Sequence, residues 1–93
     1  MLFLINKTQP NLFDLISLLG GDEDKDVLLI GDAVFYGADV MADKFRGIGV
    51  EKLYVSKPCL ATRSVRLSKE CIPLDYNEMV PLIMEEHDKI LSL

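Results

Sequence analysis

Tryptophan is absent from the chain, histidine occurs once (His87), and cysteine only at Cys59 and Cys71. Two cysteines and one distant histidine lack the compact spacing of a metal site, so no metal is expected. The same two thiols allow a single bridge, which a reducing cytosol disfavours. Glycine and proline are few, 6 and 4, which excludes collagen-like and low-complexity chains. No apolar run approaches the ~20 residues that a membrane helix needs. The opening Met1-Leu2-Phe3-Leu4-Ile5 has no basic segment before it and breaks at Asn6-Lys7, too short for a signal peptide. A cytoplasmic location without membrane contact is therefore expected. Basic charge is also short: 10 Lys and Arg stand against 15 Asp and Glu, a net charge of −5. An acidic domain repels phosphate backbones at long range, so direct nucleic-acid binding is not expected. Neither GxGxxG nor GxxxxGK[ST] occurs, and no cofactor site has sequence support.

What is present suits one core. A chain of 93 residues, 49% of them hydrophobic, is too short to stabilise two independent cores, so residues 1–93 read as a single domain. Leu2 to Asn6 and Asp26 to Gly31 are short, continuously apolar runs. Strands covered on both faces look like this, whereas a half-solvated hairpin would alternate. Between them Leu12, Phe13, Leu15, Ile16 and Leu19 fall at helical spacing, and Gly20-Gly21 supplies a stop. A second helix is expected from Asp32, whose carboxylate would cap it, to Gly47, with Val34, Ala38, Met41 and Phe45 on one stripe. Phe35 and Tyr36 lie off that stripe, as core in a layered fold or as a face for a partner subunit. Val50 to Ser56 reads as the third strand and a short helical segment follows through Leu67. Cys71-Ile72-Pro73-Leu74 reads as a fourth strand, placed at an edge because Pro73 has no N–H for a ladder. A last helix is expected to carry Tyr76, Met79, Val80, Ile83, Met84, Ile90 and Leu91 on one side. Asp75 and Glu78 fit a capping box at its start, but Pro81 favours a start at Asn77.

Strand and helix alternate, which predicts an α/β fold: a three-layer α/β/α sandwich around a four-stranded, mostly parallel sheet. Right-handed crossovers then bring Asn6-Lys7, Gly31-Asp32 and Ser56-Lys57-Pro58-Cys59 to one sheet edge. Cys59 stands out there. With Ser56 as a cap it falls in the first turn of a helix, whose free N–H groups favour a thiolate, and Lys57, Arg63 and Arg66 add positive charge. The alternative is a small packed thiol. Cys71, inside an apolar strand, reads as core. His87 has no cysteine or serine near it in sequence. Asp14, Asp39, Asp43, Glu85, Glu86 and Asp88 read as solvated helix faces, and Asp22 to Asp26 as a charged loop.

The stretches Met1-Leu2-Phe3-Leu4-Ile5-Asn6-Lys7, Val27-Leu28-Leu29-Ile30-Gly31-Asp32-Ala33-Val34, Leu53-Tyr54-Val55, Leu60-Ala61-Thr62-Arg63 and Ile72-Pro73-Leu74-Asp75-Tyr76 resemble, in order and spacing, the DsrH/TusB family of small sulfur-relay subunits within the DsrE/DsrF/DsrH group. Two places depart from the family pattern. After the second strand, Gly31 replaces a polar residue and Ala33 a glycine. After the third, Cys59-Leu60-Ala61-Thr62-Arg63-Ser64 stands where Asp-Leu-x-Ala-Arg-Gly is usual. The resemblance implies assembly with DsrE-like and DsrF-like subunits, or with itself, and persulfide traffic from an upstream sulfur donor protein. It points to 2-thiolation of the tRNA wobble uridine or to related sulfur metabolism. Some DsrH members carry a cysteine in the first helix, and this chain has none between Asn11 and Gly20. Its Cys59 sits instead about where DsrE-type subunits place their sulfur-carrying cysteine, with Lys57 and Arg63 to stabilise the thiolate. A second reading is a non-catalytic subunit that organises a DsrE-like carrier.

Overall fold

The computed structural model describes residues 1–21, 23–63, 66–84 and 89–93, with the backbone alone at 39 and 40. The strands β1 (Leu2–Ile5), β2 (Lys25–Leu29), β3 (Val50–Ser56), β4 (Cys71–Leu74) and β5 (Ile90–Ser92) form one sheet in the order β4-β3-β2-β1-β5. Every neighbouring pair is parallel. β2 holds the centre, and its Val27, Leu28 and Leu29 are fully buried, as their unbroken apolar run predicts. No hairpin joins β1 to β2: Leu2 lies beside Asp26 and Ile5 beside Leu29.

Alternate strand residues face opposite sides of the sheet and join different clusters. Phe3, Ile5, Val27, Leu29, Leu53 and Val55 pack with Leu12 and Ile16 of α1 (Leu12–Gly20) and with Ala42 and Phe45 of α2 (Asp39–Gly47). Leu2, Leu28 and Leu74 instead meet Met79 and Leu82 of α4 (Tyr76–Met84). The short α3 (Lys57–Arg63) follows β3 directly. Among the described residues no helix is long and apolar enough to cross a membrane.

Four local expectations need correction. The sheet has five strands, not four, because Ile90 and Leu91 belong to β5 beside β1 rather than to the last helix. They lie two helical turns beyond Ile83 and Met84, so spacing alone carries the helical pattern through them. The second helix is also not continuous. A 3-10 helix spans Gly31–Gly37, Ala38 is extended at φ −68° and ψ 153°, and α2 begins only at Asp39. That interruption rephases the apolar face: Ala42 and Phe45 are buried, while Met41 is 36% exposed. Asp32 lies inside the 3-10 helix and does not cap it; Ile30 holds that position without a side-chain cap. Finally, α3 spans Lys57–Arg63 among the described residues, and Leu67 is not helical.

Other details follow the sequence, and the start of the last helix, expected at Asn77, does not. Gly21 ends α1 with φ 55° and donates its N–H to the Ser17 carbonyl. β4 lies at a sheet edge. The capping box prevails over Pro81: the Glu78 carboxylate accepts the Asp75 N–H at 3.1 Å, and α4 begins at Tyr76 with Pro81 inside it. Asp14 and Asp43 are exposed. Asp22, Ser64, Glu85, Glu86, His87, Asp88 and the Asp39 side chain lie outside the described residues.

Phe35 and Tyr36 part company. Phe35 is exposed, but Tyr36 is buried against Phe13 and Phe45. Its hydroxyl accepts the Gln9 N–H at 2.9 Å and donates to the Gln9 carbonyl at 3.0 Å, fastening the loop after β1. Tyr36→Phe leaves both groups without that partner and should lower stability by about 1–2 kcal/mol. Urea unfolding checks this, as a lower midpoint with an unchanged slope.

Candidate functional site

A parallel sheet gathers the ends of its strands on one edge, and here that edge brings β2, β3 and α3 together. Gly31, just past β2, has φ 56°, a conformation that L side chains rarely adopt. A Cβ at this position would lie 3.0 Å from the Asn6 carbonyl oxygen at the end of β1. The turn aims the Gly31 N–H at Cys59 Sγ, 3.2 Å away. Gly31→Ala should therefore cost about 1–2 kcal/mol from the left-handed conformation alone. For a domain of this size that is a fall of several degrees in Tm by calorimetry, roughly 4–8 °C per kcal/mol.

Cys59 is a free thiol, half-buried, in the first turn of α3. One turn further on, Arg63 folds back. Its Nε donates to Asp32 Oδ1 at 3.0 Å, and its Nη1 donates to Thr62 Oγ1 at 2.9 Å and to the Cys59 carbonyl at 3.4 Å. The Thr62 hydroxyl also donates to that carbonyl, at 3.1 Å. The backbone that carries the thiol is thus held from two sides, and Asp32 finds its partner here rather than at a helix end. Ser56, the last residue of β3, is 2% exposed. Its hydroxyl has no hydrogen-bond partner among the described residues, so it does not cap α3.

These groups open on a cleft of about 470 Å³ between the sheet and α4. Gly31, Ser56, Cys59, Thr62 and Arg63 sit at the end where the strands finish. From there Leu4 and Leu28 floor the cleft, and Met79, Val80 and Ile83 wall it. The arrangement presents a sulfur that already accepts one N–H, on a residue whose carbonyl is held by a guanidinium, at the mouth of an apolar trough. Such a sulfur is placed to attack an electrophilic sulfur that enters from the cleft.

Of the residues that the sequence singles out, Cys59 and Arg63 meet at this site and Lys57 does not. The Lys57 ammonium lies 3.8 Å from Asp75 Oδ2, more than half exposed, and Lys57 is not among the cleft residues. Arg66 borders a different hollow with Asp43, Lys69 and Glu70. Cys71 is 7% exposed, and its thiol donates to the Gly37 carbonyl at 3.5 Å in the core. Missed in the sequence were the N–H of Gly31 as a donor to the sulfur, Ser56 as an open hydroxyl, and α4 as the far wall. The signal for the wall was available: Tyr76, Val80 and Met84 repeat every fourth residue beside Met79 and Ile83. Among the described residues no group of three or more His, Cys, Asp or Glu could hold a metal ion. No protein-family model matches the chain, and no curated protein matches it either.

Proposed function

We propose that the chain is a cytoplasmic sulfur-relay subunit in which Cys59 carries persulfide sulfur, for tRNA wobble-uridine 2-thiolation or related sulfur metabolism. The observation that carries this reading is the half-buried Cys59 sulfur at the cleft mouth, with the Gly31 N–H directed at it. The likeness to DsrH/TusB chains supports it independently. So does the division of alternate strand residues between two clusters, which suits the three-layer α/β/α sandwich of that group.

In the proposed step the Cys59 thiolate attacks the outer sulfur of a donor persulfide. A new S–S bond forms at Cys59, the donor's S–S bond breaks, and the donor leaves as a thiolate. An acceptor thiolate then takes the outer sulfur in the same way and Cys59 returns as a thiolate, so no external oxidant or reductant is consumed. Arg63 steadies the loop through the Cys59 carbonyl, and Lys57 contributes only diffuse charge. The partners of the relay are DsrE-like and DsrF-like subunits, or further copies of this chain, and an upstream donor protein.

One observation favours the second reading, a non-catalytic subunit that organises a DsrE-like carrier. Tyr76, Val80 and Met84 form an exposed apolar stripe on α4, 72%, 56% and 75% accessible. A single experiment separates the two. The reduced protein is incubated with a cysteine desulfurase and cysteine, and intact and peptide masses are read for added sulfur. One sulfur atom on the peptide that contains Cys59 supports the carrier. An unmodified Cys59, with the desulfurase active on a control thiol, leaves the organising subunit.

A further inference from the structure

Sulfur exchange at Cys59 needs a thiol and a path to it, and does not account for the trough that runs on to Leu4, Leu28 and Ile83. We propose that this cleft binds an amphipathic carboxylate, with the anionic head at Arg63 and Ser56 and a straight aliphatic chain lying between the sheet and α4. The proposal goes beyond the sulfur-relay reading and does not rest on it.

Polarity in the cleft is segregated rather than mixed. Gly31, Ser56, Cys59, Thr62 and Arg63 occupy the end at which β2 and β3 finish. Apart from Pro58 and Tyr76, the first residue of α4, the rest of the lining is leucine, isoleucine, valine and methionine, on the floor of the sheet and along α4 as it runs back. A ligand that satisfies both ends is polar at one terminus and apolar along its length. Among the described lining residues Arg63 is the one cation and none is acidic. Asp32, Thr62 and the Cys59 carbonyl engage Nε and Nη1 of Arg63 and leave Nη2 without a partner among the described residues. The Ser56 hydroxyl, on a residue 98% buried, likewise lacks a described partner. The Nη2 group of a guanidinium and a hydroxyl match a singly charged carboxylate, whereas a phosphate dianion calls for more positive charge than one arginine shared with Asp32. A second copy of the chain fits less well. Each copy carries a net charge of −5, and covering this end with apolar side chains would bury the Ser56 hydroxyl and Nη2 of Arg63 without a partner.

The test uses sodium decanoate as the probe, with 1-decanol (same chain, no charge) and acetate (head alone) as comparisons. Titration calorimetry and amide resonances are read on reduced protein with no sulfur donor present, so the outcome is separate from sulfur loading. Decanoate should bind one to one and shift the Gly31 and Ser56 resonances, with decanol and acetate each weaker by at least about tenfold. Arg63→Gln should weaken decanoate about tenfold and leave decanol unchanged. Val80→Glu, at a position 56% exposed and so compatible with folding, places an acid on the wall and should abolish decanoate binding. Circular dichroism confirms that both variants fold. Equal binding of decanol and decanoate, an Arg63→Gln variant that binds decanoate unchanged, or the absence of saturable binding would each overturn the proposal. So would a dimer, seen by light scattering, that closes the cleft to decanoate.

Discussion

Cys59→Ser should load no sulfur from a cysteine desulfurase and cysteine, while Cys71→Ser loads as the parent chain does. A serine hydroxyl forms no persulfide, so loss at the carrying position is complete rather than partial. The two thiols differ in the property that matters, access. Cys59 is half-buried and lines the cleft, whereas Cys71 is 7% exposed with its thiol turned to the Gly37 carbonyl. Alkylation by iodoacetamide followed by peptide mapping should show the same order, Cys59 well ahead of Cys71. Undiminished loading of Cys59→Ser would end the carrier reading and leave the organising subunit. Because Cys71 packs in the core, its serine variant is compared only after circular dichroism shows native structure.

Phe45→Ala should destabilise the fold by about 3–5 kcal/mol, the range for an emptied aromatic core site. A chain of 93 residues has roughly 5–14 kcal/mol to lose, so this variant approaches the point of unfolding at 25 °C. Phe45 is 1% exposed, with its ring 4.8 Å from that of Phe13 and 6.0 Å from that of Tyr36. The cluster joins three elements: α1 through Phe13, the 3-10 helix through Tyr36, and α2 through Phe45. Urea unfolding measures the change. Phe35→Ala provides the contrast, since Phe35 is 49% exposed and should shift stability by less than about 0.5 kcal/mol. A Phe45 variant that loses no more than the Phe35 variant would show that the cluster does not hold these elements together. Joint serine substitution of Phe35 and Tyr36 would strike the same core, and so reports on folding rather than on association.

The sequence carried the parallel sheet because burial on both faces leaves a mark that solvent exposure on one face erases. Val27-Leu28-Leu29 has no polar alternation to offer a hairpin. The site was legible where topology decides it, since strand ends must gather on one edge and Cys59 follows β3. The rest depended on geometry that side-chain type does not encode. Ala38, a good helix former, is extended between two helical segments, and the one mark beside it, Gly37, is a lone glycine of a kind that a continuous helix also tolerates. Ile90 and Leu91 fit a helix by spacing, and only pairing with β1 makes them a strand. Lys57 and Arg63 look equivalent as nearby cations. Their backbone positions send one towards Asp75 and the other back across the Cys59 carbonyl.

The two outer strands of the sheet have a consequence for self-templated growth. An edge strand normally displays a row of unpaired N–H and C=O groups to which another chain can add, the first step towards cross-β aggregates. At one border β4 contains Pro73, which has no N–H to give an incoming strand, and at the other β5 is only three residues long. Neither border offers a continuous ladder. A chain with 49% hydrophobic residues and a fully parallel sheet is thereby protected from extension strand by strand.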